Sequence, residues 1–196
     1  MKQMVILAGG EGTRIKERIG KLPKAMIPIG DKPLLEHQIE LARHHDFSDI
    51  LILAGYRADA ITSYFESGAR WEVSITYEIE KAPLGTAGAV LAAFPRLADE
   101  FVVMYGDEML NVDLERFVSI HERNAADATL FLHPNDHPLD SDLVEVNSEG
   151  WITAFHNRPH LPDRWFQNLV NAALYVVRNP DKLRHLAPVR HESDPE

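Results

Sequence analysis

MVILAGGEGTR, residues 4–14, is the stretch from which the rest of the chain can be read. Met4 to Leu7 form an apolar run that leads straight into Gly9, Gly10 and Gly12, with Thr13 and Arg14 next. An apolar run ending in glycines predicts a buried strand that delivers a glycine-rich turn, a way of bringing backbone N–H groups up to a phosphate. Glycine suits such a turn because no Cβ blocks the ligand and unusual φ values cost little. The PKAMIPIG run at 23–30 contributes Lys24, a charge that loop amides lack. On its own, a glycine cluster after a strand also describes an ordinary tight turn, so the neighbouring segments have to decide.

Outward from that loop, strand-like and helix-like segments alternate. Residues 50–55 (ILILAG), 73–79 (VSITYEI), 101–107 (FVVMYGD) and 128–133 (ATLFLH) read as strands. Residues 34–45, 58–66 and 86–93 read as helices, and Asp113 as the N-cap of another that runs through His121. Leu34, Leu35, Gln38, Ile39 and Leu41 fall near one face of the first of these. Strands separated by helical segments of about 10–15 residues imply βαβ units and a mostly parallel sheet covered on both faces. Ligands of such sheets sit at the carboxyl ends of the strands. The glycine loop and Gly106-Asp107 both fall there. Beyond Pro134 the pattern changes to a hairpin around Ser148-Glu149-Gly150 and a long strand over 167–177 that contains Asn171, which predicts a small antiparallel add-on. A short helix is expected to begin in the polar C-terminal stretch after Val177. No internal repeat appears, and residues 1–196 read as a single domain.

Composition narrows the function. The 196 residues are 45% hydrophobic and 26% charged, ordinary for a soluble globular chain long enough to bury one core. No segment approaches the roughly 20 consecutive apolar residues of a membrane helix, and the start reads as a strand, not a signal peptide. A formal charge of -10, from 20 Lys+Arg against 30 Asp+Glu, argues against a nucleic-acid partner. It leaves small anions open, because a few local cations outweigh a distant acidic surface. The absence of cysteine removes disulfides and thiolate chemistry and fits a cytoplasmic setting. The ten histidines are scattered, with no pair spaced for a zinc site inside a regular element.

Two common phosphate motifs can be excluded. A Walker A loop needs Gly-Lys-Ser/Thr, whereas Gly12 is followed by Thr13 and Arg14. The dinucleotide fingerprint that would begin at Gly10 has Ile15 at its third glycine position. Read as a set, LAGGEGTR, LPKAMIPIGDKPLLEH, PLGTAGAV and YGDEML, in this order and spacing, resemble the sugar-phosphate nucleotidyltransferases. Members of that family join a nucleoside triphosphate and a sugar 1-phosphate into a nucleotide sugar and pyrophosphate. The likeness runs from about Met4 to Asp113 and, more loosely, to Val177.

The resemblance implies a Rossmann-like α/β fold of the GT-A kind, with a mixed, mostly parallel sheet flanked by helices and an antiparallel add-on at the sugar side. It also implies roles. Leu7, Ala8, Gly9, Gly10, Gly12 and Thr13 would bind the nucleotide, the amides of Gly9, Gly10, Gly12 and Thr13 holding the triphosphate, with Arg14 neutralising the departing pyrophosphate. Lys24 would stand beside the reacting α-phosphate, and Asp107 would bind Mg²⁺, with Glu108 a neighbouring alternative. Gly85, Thr86 and Ala87 resemble the loop over the nucleobase, in the form carried by guanylyltransferase-like members. Asn171 and Arg158 fall where relatives contact the sugar and its phosphate. Ala173 replaces the glycine usual in that strand, which would tighten the sugar wall. Asn157, before Arg158, departs from the glutamate usual there. Glu80 is placed with the sugar-phosphate residues and could equally touch the base.

Among its members the pattern GYRADAITSYF with ITYEIEKAPLGTAGAV looks most like the guanylyltransferases that activate D-glycero-D-manno-heptose 1-phosphate for bacterial surface polysaccharides. GTP and that heptose phosphate are therefore the expected substrates. Mannose 1-phosphate with GTP, an amino-sugar phosphate with UTP, or an inactive regulatory domain of the same fold are the alternatives. The family's second metal aspartate has no recognisable counterpart after Val177, so the sequence reads as a piece of a longer chain. The likeness leaves room for a homo-oligomer or a fused phosphatase domain.

Overall fold

A computed structural model describes residues 2–12, 20, 22–135, 141–160 and 165–178. At its centre lies β1 (Gln3–Ala8), flanked on both sides by parallel strands, β4 (Asp49–Ala54) and β6 (Glu100–Tyr105). β5 (Ser74–Ile79) extends the parallel set beyond β4. Parallel strands covered by helices on both faces must be apolar along their whole length, not on alternate residues. That is why MVILA and ILILA are unbroken runs. Met4, Val5 and Ile6 are 0% exposed, and burying each contributes about 1.5–3 kcal/mol.

Among the described residues, four helices supply the cover. α1 (Leu34–His44), α2 (Ala58–Phe65) and α4 (Leu114–Asn124) pack Leu35, Ile39, Ile61, Phe65, Leu114 and Phe117 onto the face of Met4 and Ile6. α3 (Gly85–Ala92) covers the opposite face, where Ala89 meets Val5, Leu51 and Val103. Asp113 caps α4 by accepting the Arg116 N–H at 2.8 Å. The helix continues to Asn124, three residues past the sequence expectation. Glu36, buried on α1, accepts hydrogen bonds from the Tyr64 hydroxyl (2.8 Å) and the Trp71 indole (3.2 Å), pinning α1 to α2 and the turn after it.

The remaining strands are antiparallel. β10 (Val170–Arg178) pairs with β6 over Leu174–Arg178 and with β7 (Ala128–His133) on its other side. It meets β8 (Leu143–Val146) only at Val170, and β8 pairs with β9 (Ile152–His156) in the hairpin foreseen around Ser148-Glu149-Gly150. Two short strands, β2 (Pro28–Ile29) and β3 (Lys32–Pro33), form a separate ribbon. The main sheet therefore runs 5-4-1-6-10-8-9 with β7 beside β10, a mixed and mostly parallel sheet as expected. β10 starts at Val170 instead of Gln167: the Leu169 N–H turns back onto Gln167 O (2.9 Å), and the Gln167 side chain binds both backbone groups of Val146 (2.8 and 2.9 Å). Pairing with β7 slips between Asn171 and Tyr175, where Ala173 takes φ +54°. In place of simply tightening a wall, this alanine sits in a left-handed conformation that glycine would adopt at less cost. The expected C-terminal helix lies outside the described residues. No helix among the described residues is long and apolar enough to cross a membrane.

One buried group makes this packing sensitive to pH. His121 on α4 is 0% exposed; its Nδ1 contacts the Thr129 hydroxyl at 2.8 Å, and its Nε2 lies 3.7 Å from the Glu100 carboxylate. Burial pushes the imidazole below its ordinary value, with Arg178 adding to that and Glu100, Glu122 and Asp127 opposing it. The unfolded chain, titrating near about 6.5, then binds more protons than the fold. Stability fully present above about 6.5 is lost as the pH falls through that value toward the folded pKa. The denaturant midpoint, measured from about pH 8 to about pH 5, is expected to fall, and to fall less in His121→Gln. Equal pH slopes in the two proteins would assign the sensitivity to other groups.

Candidate active site

The carboxyl ends of β5, β4, β1 and β6 carry, in that spatial order, Glu80, Gly55, Gly9 and Gly106-Asp107. Between them opens a cavity of about 280 Å³ lined by Leu7, Ala8, Gly9, Gly10, Lys24, Leu53, Glu80, Pro83, Gly85, Thr86, Ala89, Tyr105, Gly106 and Asp107. The glycine requirement is steric at two of these points. A Cβ on Gly106 would stand 2.9 Å from the Leu7 carbonyl, and one on Gly55 3.0 Å from that of Gly9. Close passage of these loops also lets pairing run past the strand ends: Gly106 N–H donates to Leu7 O (2.8 Å) and Tyr56 N–H to Gly9 O (3.2 Å).

One end of the cavity is ionic. Lys24 opens a short helical turn, Lys24–Met26, whose Ala25 and Met26 are buried in the core beneath it. Anchoring those two side chains turns the lysine outward, and its Nζ donates to the Asp107 carboxylate. Both side chains keep partial exposure, so a ligand can reach the pair. The Asp107 turn is held from behind by Gln38 of α1, only 2% exposed, whose amide N–H₂ donates to the carbonyls of Tyr105 (2.8 Å) and Glu108 (2.6 Å). The Glu108 carboxyl, outside the cavity lining, is pushed up by burial and by neighbouring Asp107, against the pull of Lys24 and His133.

The opposite end is apolar with one acid. Leu53, Pro83 and Ala89 form walls, and the Glu80 carboxylate crosses from β5 to lie 3.3 Å from where a Gly9 Cβ would be. Burial pushes the Glu80 carboxyl up, while a hydrogen bond from the Leu84 N–H holds it back. α3 has no side-chain cap, so amides of its first turn, at Gly85 and Thr86, stay available beside the cavity.

The structure thus gathers Leu7, Ala8, Gly9, Gly10, Lys24, Glu80, Gly85, Thr86 and Asp107 around one space. Gly12 and Ala87 lie off the lining, and Thr13 and Arg14 fall outside the described residues. Asn171 does not line the cavity either. Its amide donates to the Tyr175 hydroxyl and its oxygen accepts the Ala173 N–H at 3.0 Å. Tyr175, whose phenol is pushed up by burial, packs 6.1 Å from Tyr105, and the Tyr105 hydroxyl reaches Thr86 at 3.3 Å. Arg158 stays apart. It faces Asp142, at 3.0 Å from its backbone N–H and 3.6 Å from its guanidinium. Sequence reading overlooked Gln38, Tyr105 and the apolar wall. Gln38 alone left a signal, a polar residue on the apolar face of its helix.

Among the described residues no three of His, Cys, Asp and Glu converge on a point. A cation here would therefore have Asp107, with Glu108 beside it, plus oxygens from a substrate and water. That donor set fits Mg²⁺, which keeps waters and binds through one or two carboxylates together with phosphates.

Known proteins resemble this chain in sequence and in fold. A UTP–glucose-1-phosphate uridylyltransferase from Synechocystis is 35% identical over 90% of this chain and 48% of its own length. A D-glycero-alpha-D-manno-heptose 1-phosphate guanylyltransferase from Aneurinibacillus thermoaerophilus is 37% identical over 67% of this chain and 57% of its own. The chain thus spans about half the length of these curated relatives. The solved structure of HddC from Yersinia pseudotuberculosis complexed with GMP-PN superposes with a TM-score of 0.76, at 26% identity, over 91% of this chain and 77% of that one. The Nucleotidyl transferase family description fits residues 3–192. With that match spanning nearly the whole chain, and a glycine-edged cavity at the carboxyl ends of a parallel sheet, the protein belongs to the nucleotidyl transferase family.

Proposed function

We propose that the cavity binds GTP and a sugar 1-phosphate and transfers the guanylyl group, releasing pyrophosphate. The phosphates lie at the Gly10 and Lys24 end, where backbone N–H groups and a cation meet them, and Gly9, with the Glu80 carboxylate against it, stands between them and the base. The base lies at the Leu53, Pro83 and Ala89 end, under Gly85 and Thr86. An oxygen of the sugar phosphate attacks the α-phosphorus, a new P–O bond forms, and the bond to the β-phosphate breaks in line. Such a transfer needs positioning and charge stabilisation, with no covalent enzyme intermediate. Lys24 screens the two anions as they approach. Asp107, with Glu108 nearby, would hold Mg²⁺, which when bound neutralises charge on the phosphates. Arg14, by the family resemblance, faces the leaving pyrophosphate.

Glu80 carries the guanine reading. Guanine offers adjacent N1–H and N2–H₂ donors, a match for the two oxygens of a carboxylate. Uracil offers one N–H between two carbonyl oxygens, which a carboxylate repels and a glutamine amide would satisfy. The heptose guanylyltransferase relative and the GMP-PN complex of HddC support the same choice, and the first of them supports D-glycero-D-manno-heptose 1-phosphate as the acceptor. A second reading, uridylyl transfer, draws on the Synechocystis relative. Pyrophosphate release should be measured for GTP, UTP, ATP and dTTP against heptose, mannose and glucose 1-phosphates. GTP is expected to lead, and the GTP-to-UTP ratio of kcat/KM to fall about 100-fold in Glu80→Gln, as expected when one buried polar match is lost and another gained. An unchanged ratio removes Glu80 from base selection, and turnover of no pair rejects the enzyme reading.

A further inference from the structure

We infer that Gln38 is a positioning residue for the reaction, a buried amide that fixes the Gly106–Glu108 turn and so sets where Asp107 points. The inference rests on the nucleotidyl-transfer reading of the cavity. Helix α1 spends this residue oddly: Gln38 lies among Leu34, Leu35 and Ile39 on the buried face and is 2% exposed. Its two N–H donors bridge Tyr105 O and Glu108 O, the carbonyls on either side of Asp107. Its own Oε1 is buried and has no hydrogen-bond partner. The side chain thus satisfies two turn carbonyls while leaving an acceptor of its own unpaired, so its amide serves the turn more fully than it serves the core around it. Lys24 holds the Asp107 carboxylate from the cavity side, and two backbone bonds hold the turn itself. Gly106 N–H binds Leu7 O at 2.8 Å, and Glu108 N–H reaches Tyr105 O at 3.2 Å. The Glu108 carbonyl depends on Gln38. Holding a carboxylate's backbone from behind works as the outer groups around a metal ligand do, whose loss commonly lowers affinity or activity 10–100-fold.

Stability and function should therefore separate. Gln38→Met keeps length and packing while removing both donors. It is expected to lower the melting temperature by a few degrees at most, since it removes one unpaired acceptor and creates another at Glu108 O, yet to lower kcat about 10-fold or more with little change in KM for the sugar phosphate, and to weaken Mn²⁺ binding in the presence of a non-hydrolysable GTP analogue about 10-fold. Gln38→Glu keeps the shape but sets a carboxylate against two carbonyls, so its loss should be larger; it also serves if the methionine variant fails to fold. Gln3→Met is the control. Gln3 is buried at the far end of β1, bonded to Asp49 and the Arg96 carbonyl at 3.0 Å each, and should alter stability without touching Mn²⁺ affinity. Mn²⁺ binding can be read by electron spin resonance, so Gln38 is judged even if no sugar phosphate is turned over. Unchanged Mn²⁺ affinity in both folded Gln38 variants, or no Mn²⁺ binding by the unaltered protein with the analogue, overturns the inference.

Discussion

Asp107→Ala is expected to cut pyrophosphate release about 1000-fold or more and to abolish Mg²⁺-dependent binding of GTP. The carboxylate is the one acid of the Lys24 end that lines the cavity, and no group of three His, Cys, Asp or Glu among the described residues could replace it. Charge stabilisation by a bound cation is worth several kcal/mol in such reactions, and about 1.4 kcal/mol is tenfold in rate. The substitution also leaves Lys24 without its partner, so part of any GTP binding that survives should become independent of Mg²⁺. Calorimetric titration of GTP with and without Mg²⁺ separates the two. A variant that still binds GTP in the Mg²⁺-dependent manner of the parent would place the metal elsewhere.

Lys24→Ala should behave differently, lowering kcat about 100- to 1000-fold while KM for GTP stays within about threefold, because the charge it screens builds up only as the two phosphates meet. Steady-state kinetics in both substrates, with GTP affinity measured separately, test this. Equal losses in turnover and binding would assign the lysine to ordinary ground-state recognition. The ion pair adds a second consequence. In the free protein Lys24 already occupies the Asp107 carboxylate, so removing the lysine should raise, not lower, the affinity of the nucleotide-free protein for divalent cations.

The fold was legible where the physics is local. Runs such as Met4 to Leu7 and Ile50 to Leu53 reveal strands buried on both faces, and the glycines after them reveal close backbone approach. Asp113 declared its helix through a cap three residues from its target. The site was legible only where family likeness aligned distant pieces, because Lys24 and Asp107 are 83 residues apart in the chain. What the sequence concealed is the choice among partners. Nothing in the letters around Gln38 says that its amide meets carbonyls 67 and 70 residues away. Nor do they say that Glu80 leans toward Gly9, or that Arg158 turns to Asp142, an acid 16 residues before it. Asn171 is similar: the backbone slip at Ala173 folds its side chain back on its own strand.

The hydrogen bonds that carry sheet pairing beyond the strand ends, Leu7 O to Gly106 and Gly9 O to Tyr56, have a dynamic meaning. They join the loops after β1, β4 and β6 to one another and to the buried strand β1, so the amides of the cavity floor are expected to share the exchange protection of that strand. A floor of that kind cannot adapt to its ligand. Adjustment falls instead to a part not stitched to β1, the exposed segment from Lys81 to Ala87. Two surfaces of unequal stiffness are expected: on the proposed reading, one would act as a fixed gauge for the phosphates and the other as a cover that shapes itself to the base.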